Sequence, residues 1–214
     1  MKITDKKQLV KLVSFLAMGD GSIHHNGGSK NCVFSMTQTS DHPDFMEWVG
    51  GVLGNITSCR TYLQEREPPR KDVIKVQTLS HPFFNKMRDR IYRGTYKSLD
   101  YHALKMLDWE ALAILYMCDG CLGKNSGREN SFTTTLNLCR LSYGDMLLLK
   151  QALRDKLGLE WNIVKTGRKY FTLRLRMKDF DKFMYGIEPY VFDSFRYKLY
   201  LRTTNPSQEG DEIV

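Results

Sequence analysis

An apolar helical run that ends in Asp-Gly occurs twice in this chain. That duplication constrains the fold more than any other feature. The first copy is Leu9 to Ser22 (LVKLVSFLAMGDGS) and the second is Ala111 to Leu122 (ALAILYMCDGCL). Leu9, Leu12, Val13, Phe15 and Leu16 recur at helical spacing in the first run. The pairs Asp20-Gly21 and Asp119-Gly120 stand nearly half of the 214-residue chain apart. One carboxylate at the foot of a buried helix in each half predicts two equivalent acids meeting at one site.

The segments downstream repeat in the same order. A helix over residues 5–19 leads through a polar, Gly-rich stretch to an alternating strand at Cys32 to Thr39. A second helix spans 40–55, with Ser40 or Asp41 as its cap and Pro43 in its first turn. Strands at Thr57 to Arg66 and Asp72 to Leu79 flank a Pro-Pro turn, and a third helix over 80–94 repeats the Ser-cap and early-Pro device. In the second half Asp108 caps the apolar helix and Ser131 to Arg140 alternates. A capping box at Ser142 to Asp145 opens a helix that runs to Leu157-Gly158. Strands at Trp161 to Thr166 and Lys169 to Met177 precede a last helix at Lys178 to Ile187. Leu53-Gly54 matches Leu157-Gly158, and Tyr96-Lys97 matches Tyr197-Lys198. Each half therefore reads α-β-β-α-β-β-α, with a repeat far longer than a solenoid period. Short connections between strands favour antiparallel sheets. The expected class is α+β, with pseudo-symmetric halves at residues 1–100 and 101–202 and a loose acidic tail at 203–214.

The chain carries 32 Lys+Arg against 24 Asp+Glu, a net charge of +8 and a pI near 9.2, which favours a polyanionic partner such as nucleic acid. No apolar run is long enough for a membrane span, and the N-terminus lacks signal-peptide and transit-peptide character. The five cysteines form no disulfide framework, which fits a reducing intracellular compartment, either an organelle matrix or a bacterial or phage-infected cytoplasm. Cys118-x-x-Cys121 lacks a partner pair for zinc, and His24-His25 reads as a surface tip.

The strands present polar faces rich in donors and poor in acids. In the first half these carry Ser35, Thr37, Arg60, Tyr62, Gln64, Arg66, Lys75 and Gln77. In the second they carry Thr133, Thr135, Asn137, Arg140, Tyr170, Thr172, Arg174 and Arg176. Arg and Lys reach guanine edges or phosphates, and Gln or Asn reads adenine. The plain alternative is an ordinary solvated face; agreement of the two halves favours nucleic-acid contact. A carboxylate at a helix C-terminus is disfavoured by the dipole, and two such groups brought together repel. A divalent cation between Asp20 and Asp119 relieves both, and paired carboxylates on hard cations suit phosphodiester hydrolysis. Lys97 and Lys198, in register with the acids, are placed to orient water or balance charge on phosphate.

The segments Val13 to Gly21 (VSFLAMGDG) and Leu112 to Gly120 (LAILYMCDG) resemble the two motifs of the LAGLIDADG homing endonucleases, in their single-chain branch. The resemblance covers residues 5–202 and implies two motif helices packed centrally over a saddle of antiparallel sheets in the DNA major groove. It implies that Asp20 and Asp119 bind Mg²⁺, which Mn²⁺ can replace, helped by the backbone carbonyls of Gly19 and Cys118. Lys97 and Lys198 then match the residues that organise the nucleophilic water. The implied product is a double-strand break with short 3′ overhangs, made by a monomer without a protein partner. Phe15 and Ile114 stand where the motif usually has glycine, so a wider or rotated helix crossing is expected. Rival readings are an intron maturase assisting RNA splicing and a non-catalytic DNA-binding protein; the intein form is not expected, because nothing flanks the nuclease unit.

Overall fold

The computed structural model describes residues 2–124, 132–138, 140–167 and 170–201. The first half runs α1 (Lys6–Met18), β1 (Ser22–His25), β2 (Cys32–Thr39), α2 (Pro43–Leu53), β3 (Cys59–Gln64), β4 (Val73–Thr78) and α3 (Pro82–Ile91). A small hairpin, β5 (Tyr92–Arg93) and β6 (Tyr96–Lys97), and a short α4 (Tyr101–Leu104) lead into the second half. That half repeats the order: α5 (Trp109–Asp119), β7 (Gly120–Lys124), β8 (Phe132–Leu136), α6 (Tyr143–Leu157), β9 (Trp161–Thr166), β10 (Tyr170–Leu175) and α7 (Phe180–Ile187). A 3-10 turn at Asp193–Lys198 takes the place of the hairpin. The expected tail, Thr203 to Val214, and Cys139 lie outside the described residues.

Each half builds one four-stranded antiparallel sheet, in the orders β1-β2-β4-β3 and β7-β8-β10-β9. The stretch after Asp20, expected as a strand or hairpin tip, forms β1 and pairs with β2. Ile23, Phe34, Met36 and Val76 turn inward, and Phe34 packs on Phe84 of α3. Leu136, Leu173 and Trp161 do the same in the second half, where Trp161 meets Phe183 of α7 edge-on. The motif helices lie between these layers. Every residue from Ala111 to Met117 is buried, as in a helix covered on all sides.

The capping residues differ from expectation in two helices. His42, not Ser40 or Asp41, holds the N-cap position of α2, because Pro43 sits at the first helical position and fixes the boundary there. Asp41 instead pairs with Lys71 at 2.6 Å. At α3 the cap is His81, whose Nδ1 accepts the Phe83 N–H at 3.2 Å, in place of Ser80. Asp108 and the Ser142–Asp145 capping box stand as read, and Gly158 ends α6 in the left-handed region at φ +62°.

The seam between the motif helices is close at the end that carries the acids. A Cβ on Gly19 would lie 2.7 Å from Cys118 Cβ, so the helices touch there despite Phe15 and Ile114. At the other end buried Lys11 of α1 bridges to Asp108 at 2.6 Å and Glu110 at 2.7 Å. Space, not backbone freedom, accounts for the glycines after the acids. A Cβ on Gly21 would lie 2.4 Å from Phe34 Cζ, and one on Gly120 would lie 2.1 Å from the Tyr116 ring. No helix among the described residues is long and apolar enough to cross a membrane.

Candidate active site and nucleic-acid interface

Asp20 and Asp119 line one cavity of about 200 Å³, together with Gly19, Lys97, Asn137, Leu138 and Arg140. The motif helices deliver both acids to it, because each run ends there against the other. Asp20 is reached by water at the edge of this concavity, whereas Asp119 is half-buried. Burial raises the Asp119 carboxyl to about 7, and the Asp20 charge adds to that shift against the pull of Lys97, Lys198 and Arg140. Burial also raises Asp20, and the Gln38 amide is the largest opposing influence. Gln38 Nε2 donates to Asp20 Oδ2 at 2.6 Å.

The two lysines cap the helix ends that carry the acids. Lys97, 7% exposed, donates from Nζ to the carbonyls of Gly19 at 2.5 Å and Gly21 at 2.8 Å. Lys198 donates to the carbonyls of Met117 at 2.7 Å and Tyr116 at 3.4 Å. Each ammonium satisfies carbonyls that a helix terminus leaves open and opposes the negative end of its dipole. Burial lowers both lysines from their ordinary value, and Arg140 lowers Lys97 further. Lys97 therefore already engages the Gly19 carbonyl that the sequence resemblance assigns to a metal.

The chemistry of this donor set fits a hard divalent cation. Two carboxylates that burial and mutual repulsion hold back from ionising gain from a cation between them. Among the described residues no group of three or more His, Cys, Asp or Glu side chains is placed to hold a metal ion. Backbone carbonyls and water must then complete the shell, as Mg²⁺ tolerates.

Strand register assembles most of the expected contact residues on one face per sheet. Ser35 pairs with Gln77, which pairs with Arg60; Thr37 pairs with Lys75, which pairs with Tyr62. Gln64 continues that face on exposed β3. In the second sheet Thr135 opposes Arg174, and Thr133 and Tyr170 share their face. Thr172 is a correction. It is 3% exposed, and its Oγ1 donates to the Leu136 carbonyl at 2.7 Å and lies 2.7 Å from Asn137 Oδ1, so its hydroxyl is spent within the fold. Arg66 and Arg176 lie just beyond their strands, while Asn137 and Arg140 line the acid cavity rather than the sheet face.

Two residues beside the expected set, Asn162 and Gln38, escaped the sequence reading, and His24, expected in a surface tip, lies on a strand. Asn162, exposed and opposite Arg174, follows from the alternation of β9. His24 is on β1 opposite Val33, and Lys75 is close enough to help burial lower its imidazole. Gln38 has the parity of Phe34 and Met36, the core-facing set, which carries it under the sheet to the foot of α1. A polar residue at an apolar-parity position was the available signal.

A model of the LAGLIDADG DNA endonuclease family matches residues 16–183. Protein RecA of Mycolicibacterium fallax is 28% identical over 192 residues, which span 85% of this chain and 44% of that protein. The chain thus spans less than half the length of that curated relative. The homing endonuclease I-WcaI, solved bound to its DNA recognition sequence, superposes with a TM-score of 0.75 at 18% identity, covering 94% of this chain and 89% of its own. I-DmoI, solved in complex with DNA and Mn, gives a TM-score of 0.54 at 13% identity, over 86% of this chain and 97% of its own. Full-length DUF199/WhiA from Thermatoga maritima gives 0.51 at 12% identity, over 87% of this chain and 57% of its own. At these identities the superpositions establish the shared fold.

Proposed function

We propose, from the premise that this chain belongs to the LAGLIDADG DNA endonuclease family, that it is a homing endonuclease. In this reading it cuts both strands of a long double-stranded DNA site with a divalent cation and leaves short 3′ overhangs. One observation carries the reading: Asp20 and Asp119 share a cavity, and their charges are coupled closely enough to help raise one of them to about 7. Asp20, Asp119 and the carbonyls of Gly19 and Cys118 would hold Mg²⁺, or Mn²⁺ in its place. A cation held there would polarise the scissile phosphates and neutralise their developing charge.

The remaining work falls to the chain's own residues. Lys97 and Lys198, held on the helix ends, keep positive charge beside the acids and orient the attacking water. Gln38 fixes the rotamer of Asp20 through its amide. Arg140, at the cavity wall, faces the phosphate. The two sheet faces lie in the major groove, with Arg60, Tyr62, Lys75, Gln77, Asn162 and Arg174 among the residues that meet base edges and phosphates. The net charge of +8 and the DNA complexes of I-WcaI and I-DmoI support that partner. WhiA shares the fold, but the two acids and Lys97 around one cavity favour cleavage over binding alone.

The test is selection of cleaved sites from a randomised DNA library with Mg²⁺. Recovery of one long site cut on both strands is expected. A chain that binds DNA and cuts no member of the library sinks the reading.

A further inference from the structure

The second-half lysine sits on a 3-10 turn that lacks the strand pairing of its first-half counterpart. Lys97 belongs to β6, where pairing with Tyr92 fixes its backbone. Lys198 ends the turn Asp193–Lys198, whose geometry depends on what packs against it. Within its own half the Tyr116 hydroxyl donates to the Lys198 carbonyl at 2.8 Å, while the face that carries Phe195 packs on the start of α2, from the other half. The His42 ring, 7% exposed, stacks on Phe195 with centroids 3.8 Å apart and planes within 10°. Asp44 Oδ2 accepts the Ser194 N–H at 3.1 Å, and Phe45 meets Phe195 edge-on at 5.3 Å. The same Phe195 ring carries the Lys198 ammonium 5.1 Å from its centroid. Phe195 and Lys198 are three residues apart, so in a 3-10 turn they lie above one another.

We infer that His42 is a positioning residue for Lys198: from the first half, it clamps the Phe195 ring on which the second half's lysine rests. The inference depends on the cleavage reading above. Both ammonium groups bond carbonyls of their own half, but only Lys198 also rests on a ring clamped from the other half, so its chemistry is sensitive to how the two halves dock.

The experiment uses the full chain on a target recovered from the library selection. Strand-resolved single-turnover cleavage at saturating DNA is compared for wild type, His42→Ala, His42→Phe, Lys198→Met and the double variant His42→Ala with Lys198→Met. His42→Ala is expected to slow one strand by roughly 10- to 100-fold, the cost of an ångström-scale misplacement. It should be the strand that Lys198→Met slows most, with DNA affinity unchanged. His42→Phe keeps the stack and should restore the rate. In the Lys198→Met background His42→Ala should cost nothing further, because both changes act through one group.

Equal slowing of both strands, or full additivity in the double variant, overturns the inference. If His42→Ala does not fold, His42→Leu takes its place as a side chain of similar bulk without a flat ring; unchanged strand rates in it overturn the inference equally. A wild type that cuts nothing overturns the cleavage reading and this inference with it. A wild type that cuts, with no effect of His42→Ala, overturns this inference alone.

Discussion

Counted from each Asp-Gly along the paired strands, Gln38 of the first half and Leu138 of the second occupy the same register position. Ser22 faces Ser35, and Cys121 faces Thr135; three residues further on stand Gln38 and Leu138. The backbone plan is therefore duplicated, while the surroundings of the acids are not. Asp20 receives a side-chain amide, whereas Asp119 has an apolar neighbour and takes its strongest relief from lysine charge. Arg140 adds a guanidinium on the second-half side, where the matching first-half position holds Ser40. Folding requires the two halves to agree in apolar pattern. The surroundings of the acids carry no such requirement, and the two acids have different partners.

The sharpest way to break that comparison is to remove each acid in turn. Asp20→Asn and Asp119→Asn should each lower double-strand cleavage by about 10³-fold, as loss of a principal charge-stabilising group does, and leave DNA binding intact. Plasmid linearisation and gel-shift assays with Mg²⁺ measure the two properties separately. Cleavage that survives either change would mean that the acids do not hold the metal.

That shared site was the most legible feature of the sequence, for a physical reason. A largely buried helix is mostly apolar, as α5 is from Ala111 to Met117 and α1 is but for Lys11 and Ser14, so an Asp at the end of each stands out. The strand faces were legible too, because alternation is rigid: Arg60, Lys75 and Gln77 lie where parity puts them. Parity fails where a side chain turns back into the fold, as Thr172 does, or where a core-facing position opens onto a site, as at Gln38. The holding of Lys198 was not legible. His42 and Phe195 lie far apart in the chain and carry no repeat signature, because the first half solves the same problem with a hairpin.

Exchanging the partners of the acids sharpens the comparison. Gln38→Leu removes the amide from Asp20, and Leu138→Gln offers one to Asp119. Gln38→Leu should slow cleavage by roughly tenfold, in the range of a lost hydrogen bond to a charged group, and should do so unequally on the two strands. Leu138→Gln should narrow the difference between the acids, seen as Asp119 titrating closer to Asp20 in carboxyl-resolved NMR of the metal-free chain. Equal slowing of both strands by Gln38→Leu would show that the amide serves the site as a whole and not its own acid.

The smallest effect concerns stability without metal. The Asp119 carboxyl stands at about 7 in the folded chain against an ordinary value of 3.8, so the folded state keeps a proton that the unfolded state has already lost. Stability from this group is complete below the unfolded value and is lost as pH rises through the folded one. Asp119→Asn lacks that loss. In the presence of chelator, its melting temperature relative to wild type should therefore climb between pH 4 and 7, values set by the two ends of the shift, and then level off. The gain at the plateau should be on the order of 10 °C. Asp20→Asn should move the same way by less, since Gln38 already stabilises the ionised form of that acid. On the proposed reading Mg²⁺ should reverse the order, because a cation that binds only the folded wild type would add stability that the Asn variant cannot gain. A difference between Asp119→Asn and wild type that stays flat across this range would show that Asp119 ionises normally and that the two acids are electrostatically independent.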